Sequence, residues 1–136
     1  MASSRVGFVQ DGSGTSGTMP FVEGHAVIAT DVEGVITSWN DGAQELFGHR
    51  REDVLGRPVD VVVPEHLRAA HWAGFRRGMA APAVKDLAAD LPVLCADGEV
   101  RSFAGRLLVL CDALGTSLGA MAVYAATGTT GVRPFG

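Results

Sequence analysis

The sequence predicts one α+β domain, a five-stranded antiparallel sheet with its helices gathered on one face. Three observations predict it. A chain of 136 residues that is 47% apolar suits a single core. Two short β-branched runs open the folded part and three longer strand-like runs close it. Between them lies one long stretch whose apolar residues recur at helical spacing.

Residues 1–20 read as a flexible leader, because DGSGTSGTMP has almost nothing to bury against the entropy of ordering it. Its formal G-x-G-x-x-G (Gly12, Gly14, Gly17) has no strand before it and no helix after it, so it reads as linker rather than phosphate loop. The folded domain spans residues 21–127. Residues 25–31 (HAVIATD) and 34–39 (GVITSW) form a hairpin across the turn at Val32-Glu33-Gly34. Asn40 or Asp41 caps a short helix running to Phe47, with Ala43, Leu46 and Phe47 facing inward, and Gly48 ends it. Residues 51–55 make one more helical turn, stopped by Gly56. Pro64 opens the longest helix, PEHLRAAHWAGFRRGM, on which Leu67, Ala70, His71, Gly74, Phe75 and Gly78 share a face. Strands follow at 86–96, 100–111 and 117–126, separated by Asp97-Gly98 and by the turn at 112–115. The tail, residues 128–136 (GTTGVRPFG), reads as flexible like the leader.

Composition excludes several functions. The formal charge of −4 argues against a nucleic-acid binder, which would show a basic face. No run approaches the length of a membrane span, and MASSRVGFVQ lacks a signal-peptide core, so a cytoplasmic protein is the expectation. Cys95 and Cys111 fit no metal spacing; they read as reduced thiols, with a cross-strand disulfide as the alternative. There is no G-x-S-x-G and no H-E-x-x-H. His66 and His71 are five apart, which does not align two ligands on one helical face. The expectation is therefore not an enzyme.

The stretch DVEGVITSWNDGAQELFGHRREDVLGRPV resembles the PAS domain. The residues that carry the resemblance are Asp31, Gly34, Ile36, Trp39, Asn40, Ala43, Leu46, Phe47, Gly48, Leu55, Gly56 and Arg57. Asp97-Gly98 before a strand and the closing G-A-M-A-V-Y also fit, while His49 replaces the usual aromatic after Phe-Gly. The resemblance covers residues 23–126 and implies the PAS fold, in domains that sense ligands, light or redox state or that dimerise. It does not match the flavin-binding variant, which needs a reactive cysteine where Pro64-Glu65-His66-Leu67 stands.

The run Pro64-Glu65-His66-Leu67-Arg68-Ala69-Ala70-His71 further resembles the P-E-x-x-R-x-x-H of oxygen-sensing haem PAS domains of the FixL type. That likeness implies haem b as cofactor with His71 as the iron ligand, and Arg77 near a propionate. The residues themselves leave two readings open. Gly74 and Gly78 on the His71 face make room for a flat ring, or they let the helix pack closely on the sheet around a buried histidine. The facing wall would come from Leu87, Ala89 and Leu91 on one strand, Leu107 and Val109 on the next, and Met121 and Val123 on the last by alternation, with Val84 added from the loop. Where the FixL type has an oxygen-binding arginine this chain has Ala89, and no methionine stands at the corresponding place. The expectation is an open sixth iron site for a diatomic gas (O2, CO or NO) in a dry pocket. His25, His49 and His66 sit at element ends and read as structural. Trp72 reads as a packing or dimer contact. The competing hypothesis is a haem-free interaction module or small-ligand sensor that pairs with a second copy or a partner signalling protein, with Phe8, Val9 and the strand faces as its contacts. No output domain is read after the last strand.

Overall fold

The structure is a computed structural model that describes residues 25–81 and 86–134. The leader, and Val84 with it, lie outside the described residues. The chain runs β1 (Ala26–Thr30), β2 (Ile36–Trp39), α1 (Asp41–Phe47), α2 (Arg51–Val54), α3 (Arg68–Ala80), β3 (Asp86–Leu94), β4 (Val100–Cys111) and β5 (Ser117–Tyr124). The five strands form one antiparallel sheet in the order β2-β1-β5-β4-β3.

The first half is built by local chemistry. Asp31 Oδ1 accepts from the backbone N–H of Glu33 and Val35, which tightens the β1–β2 turn. Gly34 completes that turn at φ 83°, a left-handed conformation that suits a residue without Cβ. Asn40 caps α1: its Oδ1 accepts from Ala43 N–H and from Val27 N–H, and its Nδ2 donates to the His25 carbonyl. One side chain thus ties helix to strand. Gly48 ends α1 in the left-handed region, donating to the Gln44 carbonyl. Trp39, Phe47, Ile36, Val54 and Val93 are the largest fully buried side chains. Phe47 stands edge-on to Trp39 (5.8 Å), Phe103 (5.3 Å) and Tyr124 (4.9 Å), which joins α1 to both halves of the sheet.

Register assigns the faces. Ile28 pairs with Ala122, Ala122 with Leu107, and Leu107 with Leu87, and these stand on the core side. Val27 pairs with Val123, and Ala29 and Leu108 with Met121, on the opposite side.

Three expectations need correction. The long helix does not begin at Pro64; residues Glu65–Leu67 form a 3-10 turn and α3 starts at Arg68, a tighter first turn of the kind common at helix N-termini. A second 3-10 turn, Val59–Val62, was not expected, since two buried valines in four residues carry no periodic signal. The tail is not free. Asp90, on edge strand β3, accepts from Thr129 Oγ1, Thr130 N–H (2.6 Å), Thr130 Oγ1 (2.9 Å) and Gly131 N–H (3.2 Å), and its own N–H donates to the Val132 carbonyl (2.7 Å). The Thr129 hydroxyl and then the Thr130 amide hold the Asp90 carboxyl down at about 2. Small polar residues read as linker, yet they supply the donors a carboxylate can order.

A Cβ at Gly42 would lie 1.8 Å from the His25 carbonyl oxygen, a backbone atom with no room to yield. Gly42→Ala is therefore expected to destabilise the domain by about 3 kcal/mol and lower Tm by on the order of 10 °C. Thermal unfolding followed by circular dichroism checks this.

Candidate functional site

Helix α3 is pinned at both ends but not seated in between. At its first turns Trp72 Nε1 donates to Asp60 Oδ1 (2.6 Å). The Trp72 ring lies over Gly34, where any Cβ would come within 2.4 Å of it. At its last turn the Met79 carbonyl accepts from Ser117 Oγ (2.7 Å), which fixes that end to β5. Within α3 only Gly78 is buried. His71 to Phe75, the stretch around the first of these pins, is half-buried, and space remains between helix and sheet.

That space forms two cavities. The smaller, about 90 Å³, is bounded by Leu67, His71 and Phe75 from the helix side, by Val59, Val62, Val63 and Pro64 from the preceding turns, and by Ile28, Thr30, Leu91, Pro92, Leu107, Ala120, Met121, Ala122 and Tyr124 from the sheet. The larger, about 300 Å³, is bounded by Ala70, His71, Gly74, Phe75, Arg77, Gly78 and Met79, by Leu87, Leu107, Leu108, Val109 and Ala120, and by Pro134 of the tail. His71, Phe75, Leu107 and Ala120 belong to both walls.

The sequence-derived set divides accordingly. His71, Gly74, Phe75, Arg77, Gly78, Leu87, Leu107 and Val109 meet around the larger cavity. Leu67 and Leu91 border the smaller one; Met121 touches it too, although the register puts Met121 on the far face of the sheet with Val123. Ala89 is fully buried opposite Gly105 and is on neither wall. Val123 pairs with Val27 and Arg106 on the far face of the sheet. Alternation failed in β5 because Ala120, Met121, Ala122 and Val123 are all apolar, so neither face announces itself as the core side. Ala70, Met79, Leu108, Ala120 and Pro134 were missed. Ala70 already stood on the predicted helix face, but nothing local marks Pro134.

The two glycines do different work. A Cβ on Gly78 would meet Val109 Cγ2 at 3.2 Å, so Gly78 lets the helix approach the sheet. A Cβ on Gly74 would meet nothing nearer than the Arg77 Nη2 at 3.8 Å, so Gly74 leaves open room.

His71 is the polar centre of this site. Its ring stacks on Phe75 (6.2 Å, 28°) and meets Trp72 edge-on (5.1 Å). Its Nδ1 is buried and has no hydrogen-bond partner among the described residues. Desolvation pushes the imidazole below its ordinary value, against a smaller upward pull from Asp60. A neutral ring keeps a lone pair for a ligand. Arg77 supplies a cation on the wall of the larger cavity. Among the described residues no three His, Cys, Asp or Glu side chains converge as a metal cluster, and neither cysteine is in a disulfide, Cys95 being buried and Cys111 half-buried. No described helix is long and apolar enough to cross a membrane.

Residues 24–81 match the family model described as the PAS fold. An uncharacterized protein of Azorhizobium caulinodans is 37% identical over 78 residues, which is 55% of this chain; the chain spans 11% of that protein's length. Among solved structures, the PAS domain of a Colwellia psychrerythraea protein superposes with a TM-score of 0.64 at 19% identity, over 74% of this chain and 84% of that one. The PAS-B domain of Drosophila melanogaster Cycle with bound ethylene glycol gives 0.58 at 12% identity, over 72% and 94%. The PAS domain of the Cronobacter turicensis quorum-sensing receptor RpfR in complex with BDSF gives 0.58 at 11%, over 75% and 92%. At these identities the structural likeness speaks for the fold.

Because the folded state disfavours protonated His71, the unfolded chain binds the proton more readily than the folded one. His71's contribution to stability is therefore expected to be full above the ordinary value of 6.5 and to fall as pH drops through and below it. His71→Gln should flatten the pH dependence in that range, as read by urea unfolding at a series of pH values.

Proposed function

Because the chain folds as a PAS domain, a fold of sensor and interaction modules, we propose that it is a sensor whose larger cavity takes haem b on His71 and leaves the iron open to a diatomic gas. The observation that carries this is the half-buried His71 imidazole, whose buried Nδ1 has no partner among the described residues, beside the open face of Gly74. The residues present fit such a group in kind. Bound haem would supply an iron that binds O2, CO or NO. His71 offers a neutral nitrogen, Arg77 a cation for an anionic edge, and Gly74 and Gly78 a helix surface without side chains. Leu107, Val109 and Ala120 are apolar and bring no side-chain donor, which favours a weakly polar ligand such as carbon monoxide over a polarised one.

At about 300 Å³ the cavity lies at the lower end for ligand pockets. A group as broad as a porphyrin therefore needs α3 to move away from the sheet. The unseated middle of α3 permits that, and its pinned ends carry the displacement to Asp60 and to β5. In this reading the domain binds and relays rather than catalyses, and its output passes to a second copy or a partner signalling protein.

One observation favours a second reading. The cavity without any widening already suits a small organic molecule. Domains of the same fold hold ethylene glycol in Cycle and BDSF in RpfR. A haem-free ligand sensor or interaction module would then use the same walls.

Absorption separates the readings. Protein expressed with added haem is expected to be red with a strong Soret band that shifts under carbon monoxide, and His71→Ala to lose at least most of it. A colourless wild type overturns haem binding and leaves the small-ligand reading. A six-coordinate low-spin ferrous spectrum without added gas overturns the open site.

A further inference from the structure

The tail makes two contacts with the domain, and they lie close together along the chain. Thr129, Thr130 and Gly131 donate to the Asp90 carboxylate, and the Val132 carbonyl accepts from Asp90 N–H. Two residues later Pro134 forms part of the wall of the larger cavity. Residues 126–133 are exposed, whereas Pro134 is half-buried. Among the described residues of the tail no other is buried, so the Asp90 cluster and the cavity wall are the contacts that hold this segment.

We propose that residues 129–134 are a latch worked from the cavity: Asp90 holds the segment on the edge of β3, and a group filling the cavity displaces Pro134 and frees the tail. The proposal rests on the reading that the cavity takes a ligand. Its physical basis is short tether length. Two residues span at most about 7 Å even fully extended, so little slack separates the Pro134 wall from the Val132 bond. A shift of Pro134 is therefore felt at the Asp90 cluster. Filling the cavity and opening the latch are linked in both directions, since whatever favours one favours the other. Release also leaves the Asp90 N–H without its acceptor, which opens the edge of β3 to another strand.

The test is amide hydrogen exchange at Asp90, Thr130 and Gly131, with β1 amides as the control for intact fold. Hemin is the probe, and its binding is followed separately by the Soret band. On hemin binding the three amides are expected to exchange faster by on the order of tenfold, within the usual range of coupling between sites. Asp90→Ala should give fast exchange at Thr130 and Gly131 with or without hemin; slow exchange there overturns the role of Asp90. A Soret band with unchanged exchange overturns the latch and leaves haem binding intact. If no Soret band forms, haem binding fails and Gly74→Phe decides the latch, because its ring fills the cavity with no ligand at all. Faster tail exchange in that variant supports the latch, and unchanged exchange overturns it. Should Gly74→Phe lose β1 protection, the smaller Gly74→Leu replaces it under the same criteria.

Discussion

A helix ordinarily buries its apolar stripe against the layer beneath it. In this domain α3 is kept from doing so. Its position is set by an indole-to-carboxylate bond at one end and a hydroxyl-to-carbonyl bond at the other. Around the first of those bonds the His71, Gly74 and Phe75 region borders open space above the sheet. Apolar surface that could have been removed from water by close packing is left for something else to cover. At about 25 cal/mol per Å², that surface is a store of binding free energy. The cavities and the half-buried position of His71 follow from this single arrangement.

The electrostatics of His71 follow from it as well. The ring is removed from water by Phe75 and Trp72, yet it receives no hydrogen bond at Nδ1 in return. Asp60 is the acidic group that opposes the desolvation, and it is already engaged by Trp72. A desolvated nitrogen with so little support costs stability, and local inconsistencies of this kind are expected where a protein binds or switches.

Much of this was legible in the sequence, for a physical reason that also explains the rest. Asn40, Gly34 and Gly48 act on their own neighbours, so turn and cap chemistry reads directly from the chain. The face of α3 was legible because helical periodicity places His71, Gly74, Phe75 and Gly78 together without any knowledge of the sheet. What escaped depends on partners distant in sequence. Val123 was put on the wrong face because β5 is apolar on both sides. Ala89 has the right parity but lies too deep in the core to reach a cavity. Asp60 belongs to a short 3-10 turn with no periodic mark, and its meaning depends on Trp72 twelve residues on. The docking of Thr129, Thr130 and Gly131 depends on Asp90, about forty residues back.

Asn40 shows how much can rest on one functional group. Its oxygen serves two amides, and its nitrogen serves the His25 carbonyl. Only a primary amide of that length offers an acceptor and a donor together at this junction. Chemical ageing of Asn40 to the acid would keep the shape but set a carboxylate oxygen against the His25 carbonyl. The hairpin and α1 would then repel where they had been joined, so the slow loss of one ammonia molecule would loosen the domain far from its cavity.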